Sequence, residues 1–351
     1  MQVAVLAGGI GAARFLKGLV NVTQSEKGDR PTGNSDLPTT DITVIGNTGD
    51  DIRMFGLQIC PDLDSVMYTL GGGADEQRGW GRANETFTVL EELRAHGAQP
   101  DWFNLGDRDF ATHIIRTQML EAGYALSTVT LALATRWKLP LQLIPMSDDR
   151  VETHIIVADP QTGEETAIHF QEWWVKHRAA LRAQEFVYVG QDEAQPAPGV
   201  IEVIRDADLV ILPPSNPVVS LGPILGMAGI RRALAETAAP IVGISPIVAG
   251  APVRGMADAC LSAIGVPTTA SGVAQHYGAR RSGGILDGWI VDNADSAEVH
   301  ELTALGIEAV ATDTIFSNPG AGDSVAQLVL DLGRRLARGA RDSANNQRDR
   351  Q

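Results

Sequence analysis

The chain has 351 residues, 44% of them apolar, enough to bury the core of one large α/β domain or two smaller ones without staples. A formal net charge of −15 argues against a nucleic-acid partner, although a cation inside one cleft can still turn the local field toward an anionic substrate. Cys60 and Cys260 form no disulfide framework or zinc spacing, no run of about 18 apolar residues spans a membrane, and the N-terminus lacks a signal peptide's basic lead, so a reducing cytoplasm is the expected setting.

In chain order, Gln2–Ala7 reads as a short buried strand, Gly8-Gly9-Ile10-Gly11 as a turn and residues 12–20 as a helix. Residues 24–40 are polar, carry Pro31, Gly33 and Pro38, and predict a loop. An apolar β-branched run at 42–45 predicts the second strand, which stops at Gly46-Asn47-Thr48-Gly49. This strand, turn, helix, loop, strand order points to a parallel sheet. Residues 84–138 carry a helical pattern and predict an insertion standing over the sheet, with Ser127 as an N-cap and Gly97 and Gly123 as helix stops. Residues 151–158 and 165–170 predict a hairpin around Asp159-Pro160-Gln161-Thr162-Gly163. Strands follow at 186–189, Leu209–Leu212, Ile241–Ile244, 289–291 and 308–311, and the polar tail from Arg338 is expected to fray. The expected fold class is α/β: a Rossmann-like, mainly parallel sheet with an inserted helical segment, over residues 1–337, followed by the tail 338–351.

The loop Gly8-Gly9-Ile10-Gly11-Ala12-Ala13-Arg14 lets backbone approach a phosphate beside the first N–H groups of a helix. It lacks the Walker lysine pattern, and Arg14 stands where a Rossmann fingerprint has its third glycine, so it reads as a phosphate cradle or as an ordinary tight turn. Arg14 and Lys17 near a helix start meet an unfavourable dipole, which favours an anion partner. Asp50 and Asp51 on one turn, with Asp62 and Asp64 on the next, suit a hard cation with oxygen ligands. The same acids also suit caps: Asp50 for a helix from Ile52, Asp62 or Asp64 for one from Ser65. Gly106-Asp107-Arg108-Asp109 reads as a cap with a solvated ion pair or as polar contacts to a substrate, and His113 as a partly buried helix histidine. His154 and His169 lack a third ligand at metal spacing. The turns Pro213-Pro214-Ser215-Asn216-Pro217 and Ser245-Pro246-Ile247-Val248-Ala249-Gly250 put small polar groups at strand C-termini, where open α/β sheets bind ligands. Phe170-Gln171-Glu172-Trp173-Trp174 reads as core or as a stacking wall, core being the favoured reading.

Together these motifs resemble the 2-phospho-L-lactate transferase family (CofD or FbiA) of deazaflavin coenzyme F-420 biosynthesis. The resemblance runs from Met1 to about Ala337 on GGIGAARF, IGNTGDD, CPDLDSVMYTLGG, LGDRDFATHIIR, PMSDDRVETH, IHFQEWW, PPSNPVVSLGPIL, SPIVAG and ATDTI. Ala12 stands where members commonly carry another glycine, and residues 24–40 have no counterpart. The resemblance implies a single transferase domain and a defined reaction. A guanosine diphosphate ester of phospholactate or phosphoenolpyruvate passes its phospho-acid to the terminal ribityl hydroxyl of the deazaflavin FO, and GMP leaves. It implies Mg2+, small-molecule substrates, neither nucleic acid nor membrane as partner, and a homodimer. Such transfers rest on positioning and charge neutralisation, in keeping with the lack of a serine–histidine–acid or cysteine–histidine constellation.

Carried over by motif, Gly8, Gly9, Gly11 and Arg14 match the family's nucleotide loop. Asn47, Gly49, Asp50 and Asp64 match its acidic centre, with Asp50 and Asp64 implied to hold magnesium and orient the hydroxyl, and either able to accept its proton. Asp107 and Arg108 match the segment facing the deazaflavin, and Ser215, Asn216, Ser245 and Val248 the turns nearest the guanosine diphosphate. Arg78-Gly79-Trp80-Gly81 and residues 170–174 look more like the bacterial branch, which makes phosphoenolpyruvate the expected acid. The rival expectations are another nucleotide-diphosphate-dependent transferase and a non-catalytic nucleotide-binding regulator.

Overall fold

A computed structural model describes residues 1–28, 40–159, 161–318 and 320–348. The strands are β1 (Gln2–Ala7), β2 (Asp41–Gly46), β3 (Ile52–Met54), β4 (Leu57–Ile59), β5 (Gln142–Pro145), β6 (Glu152–Ala158), β7 (Glu165–His169), β8 (Ala183–Val189), β9 (Leu209–Leu212), β10 (Ile241–Ile244), β11 (Ile247–Val248), β12 (Ala251–Pro252), β13 (Gly288–Asp292) and β14 (Glu308–Thr312). The helices are α1 (Gly9–Gly28), α2 (Pro61–Leu70), α3 (Thr88–Ala95), α4 (Asp107–Glu121), α5 (Leu126–Trp137), α6 (Val200–Arg205), α7 (Leu221–Gly226), α8 (Ile230–Glu236), α9 (Ala257–Ala263), α10 (Ala270–Tyr277), α11 (Val299–Leu305) and α12 (Ala321–Arg348).

A seven-stranded sheet in the order β14-β13-β10-β9-β1-β2-β5 forms the centre, and every pair in it is parallel. Along β1 the side chains divide by alternation. Val3, Val5 and Ala7 join the core under α1, α2, α5 and α12, while Ala4 and Leu6 join the core under α6, α7, α8, α10 and α11. A strand buried on both faces has no polar face to alternate with, which is why these strands read as continuous apolar runs. The chain winds outward from β1 through β2 to β5, then returns to place β9 on the other side of β1. This reversal makes β1 and β9 the switch point of a doubly wound sheet, whose crevice lies at the strand C-termini. The Rossmann-like α/β expectation therefore holds.

Several local expectations change. Helix α1 starts at Gly9 and runs to Gly28, so residues 24–28, expected as loop, are helical; residues 29–39 of that loop lie outside the described residues. Ile52 opens the antiparallel β3–β4 hairpin, not a helix, so Asp50 caps nothing there. Helix α2 begins at Pro61, which places Asp62 and Asp64 inside its first turn and leaves Cys60 as an N-cap whose side chain does not cap the helix. Ser127 lies within α5. The cap comes from Asp148, whose carboxylate accepts from Ser127 N at 2.6 Å and Ser127 Oγ at 2.9 Å. The tail expected to fray is helical to Arg348.

The hairpin β6–β7 forms as expected, but β8 pairs with β6 in a separate antiparallel sheet and not with the parallel one. Trp173 is its buried anchor, edge-on to Phe186 with centroids 6.0 Å apart. The helical segment 84–138 resolves into two parts. α5 packs under the main sheet through Val129, Leu133 and Trp137, whereas Leu90 of α3 and Phe110 of α4 share a smaller core with the β3–β4 hairpin. Gly97 and Gly123 follow α3 and α4 with φ of 75° and 90°, the left-handed stop that glycine favours. No described helix is long and apolar enough to cross a membrane.

Candidate active site

Turns follow β1, β2, β9 and β10 at the C-terminal edge of the parallel sheet, and hydrogen bonds tie the first three together. Gly8 joins the first turn to the third: Ser215 Oγ donates to Gly8 O at 2.7 Å and accepts from Gly8 N at 3.4 Å. A Cβ on Gly11 would stand 2.5 Å from the carbonyl oxygen of Pro214, so the close approach of the two turns requires glycine there. We expect Gly11→Ala to cost about 1–3 kcal/mol by overpacking two backbones, read as a lower urea midpoint; an unchanged midpoint would mean that the turns can separate freely.

The second turn is tied to the first through Asp62. Its carboxylate accepts from Gly9 N at 2.8 Å and from Asn47 Nδ2 at 2.9 Å. Asn47 also donates to Val219 O at 3.2 Å and accepts from Gly49 N at 2.8 Å, so one side chain fixes β1, β2 and β9 loops together. Asp62 thus supplies α1 with a carboxylate at its first N–H, the favourable end of the helix dipole. Burial pushes Asp62 up to about 6, against the pull of Asn47 and Gly9.

Asp50 and Asp51 follow on the same turn, both buried. Burial first, then the charge of Asp62, raises the Asp50 carboxyl well above the usual range. Asp51 is raised by burial too, and it feels Arg116 and Asp64. The four acids thus form one run of like charge: Asp62 and Asp51 both raise Asp50, and Asp64 and Asp62 both raise Asp51. Oδ1 of Asp50, Oδ1 of Asp51, Thr48 Oγ1 and Thr153 Oγ1 are buried without a hydrogen-bond partner. Buried polar atoms almost always find partners, so such a group at a strand-end crevice calls for a ligand or ion.

Asp64 is held by Arg116 of α4, which donates through both terminal nitrogens to both carboxylate oxygens. His113 Nδ1 lies 3.0 Å from Arg116 Nη1. Arginine only donates, so this nitrogen accepts and His113 is neutral; burial holds its pKa down to about 4. Sequence reasoning missed Arg116. The signal was present: Asp109, His113 and Arg116 fall at i, i+4 and i+7, a polar stripe on one face of a helix, and all are buried.

Asp107 and Arg108 sit apart from this network. The Asp107 carboxylate accepts from Thr86 Oγ1 at 2.6 Å and from Thr88 N and Val89 N, so it caps α3. Glu85 returns the favour to α4, accepting from Arg108 N at 2.9 Å and Asp109 N at 3.0 Å. The Arg108 side chain is exposed. Asn216 braces its own turn: Oδ1 accepts from Val218 N at 2.9 Å and Nδ2 lies 3.4 Å from Cys260 Sγ. Ser245 Oγ closes on Ile247, and half-buried Val248 lies at the pairing of β11 with β12. Arg14 is half-buried in the first turns of α1, close enough that partial burial and then its charge lower the pKa of Arg254.

Three acids at one place would suggest a protein-only cation cage, but among the described residues no group of three or more acidic, histidine or cysteine side chains is arranged to hold a metal. Magnesium needs less: one or two carboxylates, with waters and substrate phosphates completing its shell. Asp50, with a buried oxygen left over and like charges beside it, fits that requirement.

The family model for the 2-phospho-L-lactate transferase CofD matches residues 3–321. The chain is 56% identical over 332 residues to a phosphoenolpyruvate transferase of Streptomyces griseus, covering 95% of this chain and 98% of that one. It is 56% identical over 334 residues to one of Thermobifida fusca, with 95% and 98% coverage. It is 51% identical over 333 residues to one of Mycolicibacterium smegmatis, again with 95% and 98% coverage. Among solved structures, protein BH3568 of Bacillus halodurans superposes with a TM-score of 0.59 over 94% of this chain and 99% of that one, at 17% identity, a likeness of fold.

Proposed function

Because the chain belongs to the CofD family of 2-phospho-L-lactate transferases and transfers a phosphate-containing group, we propose that it moves a phosphoenolpyruvyl group from a guanosine diphosphate ester to the ribityl hydroxyl of the deazaflavin FO, releasing GMP. The naming of its relatives as phosphoenolpyruvate transferases favours that acid over phospholactate. The observation that carries the site is the buried, partnerless Oδ1 of Asp50 at the switch point of the sheet.

In this reading Asp50 and Asp64 would hold Mg2+, which when bound would neutralise negative charge on the diphosphate oxygens. The glycine loop from Gly8 to Gly11 offers backbone to the diphosphate, with Arg14 behind it, while Ser215 and Asn216 keep the β9 turn at the distance the ligand needs. The hydroxyl oxygen forms the new bond to phosphorus, the bond from that phosphorus to the GMP oxygen breaks, and the hydroxyl proton passes to a carboxylate, Asp50 being the candidate with a free oxygen. Asp107 and Arg108 face the deazaflavin as a surface and not as reacting groups, since Asp107 is already spent on α3. The same reading takes the protein as a cytoplasmic homodimer whose other partners are small molecules.

The test is to incubate the purified protein with FO, Mg2+ and each guanosine diphosphate ester and to weigh the product. The expected product is the dehydro species, from the phosphoenolpyruvyl ester. A product from the phospholactyl ester alone would reverse the choice of acid. Turnover of a different nucleotide diphosphate without FO would replace the reading altogether.

A further inference from the structure

Arg116 is the one lysine or arginine buried among the described residues, and it lies under the acidic turns. Its guanidinium pairs with buried Asp64, and its charge also reaches buried Asp51. It spends both terminal nitrogens on Asp64, with Nη1 to Oδ2 at 3.1 Å, and that same nitrogen lies 3.0 Å from His113 Nδ1 and 3.4 Å from Gln58 O. A two-pronged contact fixes the plane of a carboxylate, which a single point charge does not. His113 and Gln58 in turn fix the guanidinium. The arrangement is a carboxylate whose orientation is set from behind, as the ligands of bound cations are set by their outer partners.

Resting on the function proposed above, we propose that Arg116 is a positioning residue. It pairs with Asp64 through its fork and presents that carboxylate, in one orientation, to the divalent cation shared with Asp50. Arg116 touches neither substrate. Its effect reaches the reaction only through Asp64, so its loss should appear as metal affinity and turnover, with the affinity for the acceptor unchanged.

The experiment is calorimetric titration of the full chain with Mg2+, alongside steady-state kinetics, for the wild type and for R116M, R116K, D64N and the double variant D64N/R116M. R116M is expected to weaken Mg2+ binding at least about tenfold and to lower kcat, while KM for the deazaflavin stays near wild type. R116K restores a charge without the fork, so it should remain weakened. On the D64N background the second substitution should add nothing, because the carboxylate it positions is gone. That comparison also serves if R116M alone fails to fold, since the double variant removes both halves of the buried pair. Wild-type Mg2+ affinity and turnover in R116M or R116K would overturn the proposal, as would a full additive loss in the double variant. Absence of Mg2+ binding by the wild-type chain would instead sink the metal reading, and the role of Arg116 with it.

Discussion

Replacing Asp50 with asparagine is expected to lower turnover at least about 100-fold, the scale on which removing one electrostatic interaction from a transition state acts, and to leave the chain folded. The second half of that expectation is what makes the experiment decisive. Asp50 is buried beside Asp62, its Oδ1 has no partner, and burial and like charge already disfavour its ionised form. Asparagine keeps the shape and removes the charge, so the metal-free fold should hold or gain stability. Asp64→Asn is expected to slow the reaction as much, but it strands Arg116 in a dry site. Breaking a buried pair from one side costs about 3–5 kcal/mol, so its fall in activity would be mixed with a fall in stability. Measured kcat, a urea midpoint for each variant, and the shift of that midpoint with Mg2+ separate the two. Near wild-type rates from both variants would remove the metal centre and favour a nucleotide-binding regulator.

The turns after β1, β2, β9 and β10 were legible in the sequence because each places glycine, proline or small polar residues directly after an apolar run. That local chemistry marks a strand end whatever the rest of the chain does. The parallel sheet was legible for the same reason. Which acid faces which was not. Asp62 and Asp64 are two residues apart, yet one is bonded to Gly9 and Asn47 and the other to Arg116. Helix α2 starts at Pro61, so two residues turn the side chains by about 200°, onto opposite sides of the helix. A start at Ser65, as the sequence suggested, would have made one of the two acids its cap. The cap of α5 by Asp148 and the exchange of caps between α3 and α4 through Asp107 and Glu85 are long-range and leave no local spacing to read. Asp107 shows the consequence. It lies in a motif that resembles a substrate-facing segment, yet both its oxygens are committed to the neighbouring helix.

That exchange of caps leaves Asp109 without a structural task, and the last expected result follows from it. Glu85 already serves the first N–H groups of α4, so the Asp109 carboxylate is not needed as a cap, yet it is buried with Oδ1 unpartnered. Burial first, then the charge of Asp64, pushes its pKa from 3.8 up to about 7. Between those values the folded chain holds this proton more tightly than the unfolded chain, so the contribution of Asp109 to stability falls as pH rises from about 4 to about 7 and is constant above. Asparagine has no such proton to lose. Asp109→Asn should therefore match the wild type at pH 4 and exceed it by about 2–4 kcal/mol at pH 8, as three units at 1.36 kcal/mol each allow. Urea denaturation at both pH values reads the difference. A variant no more stable than the wild type at pH 8 would show that Asp109 is satisfied where it stands. A gain confined to high pH, with turnover reduced, would show a carboxylate kept next to Asp64 against the interest of the fold, which is how groups retained for chemistry behave.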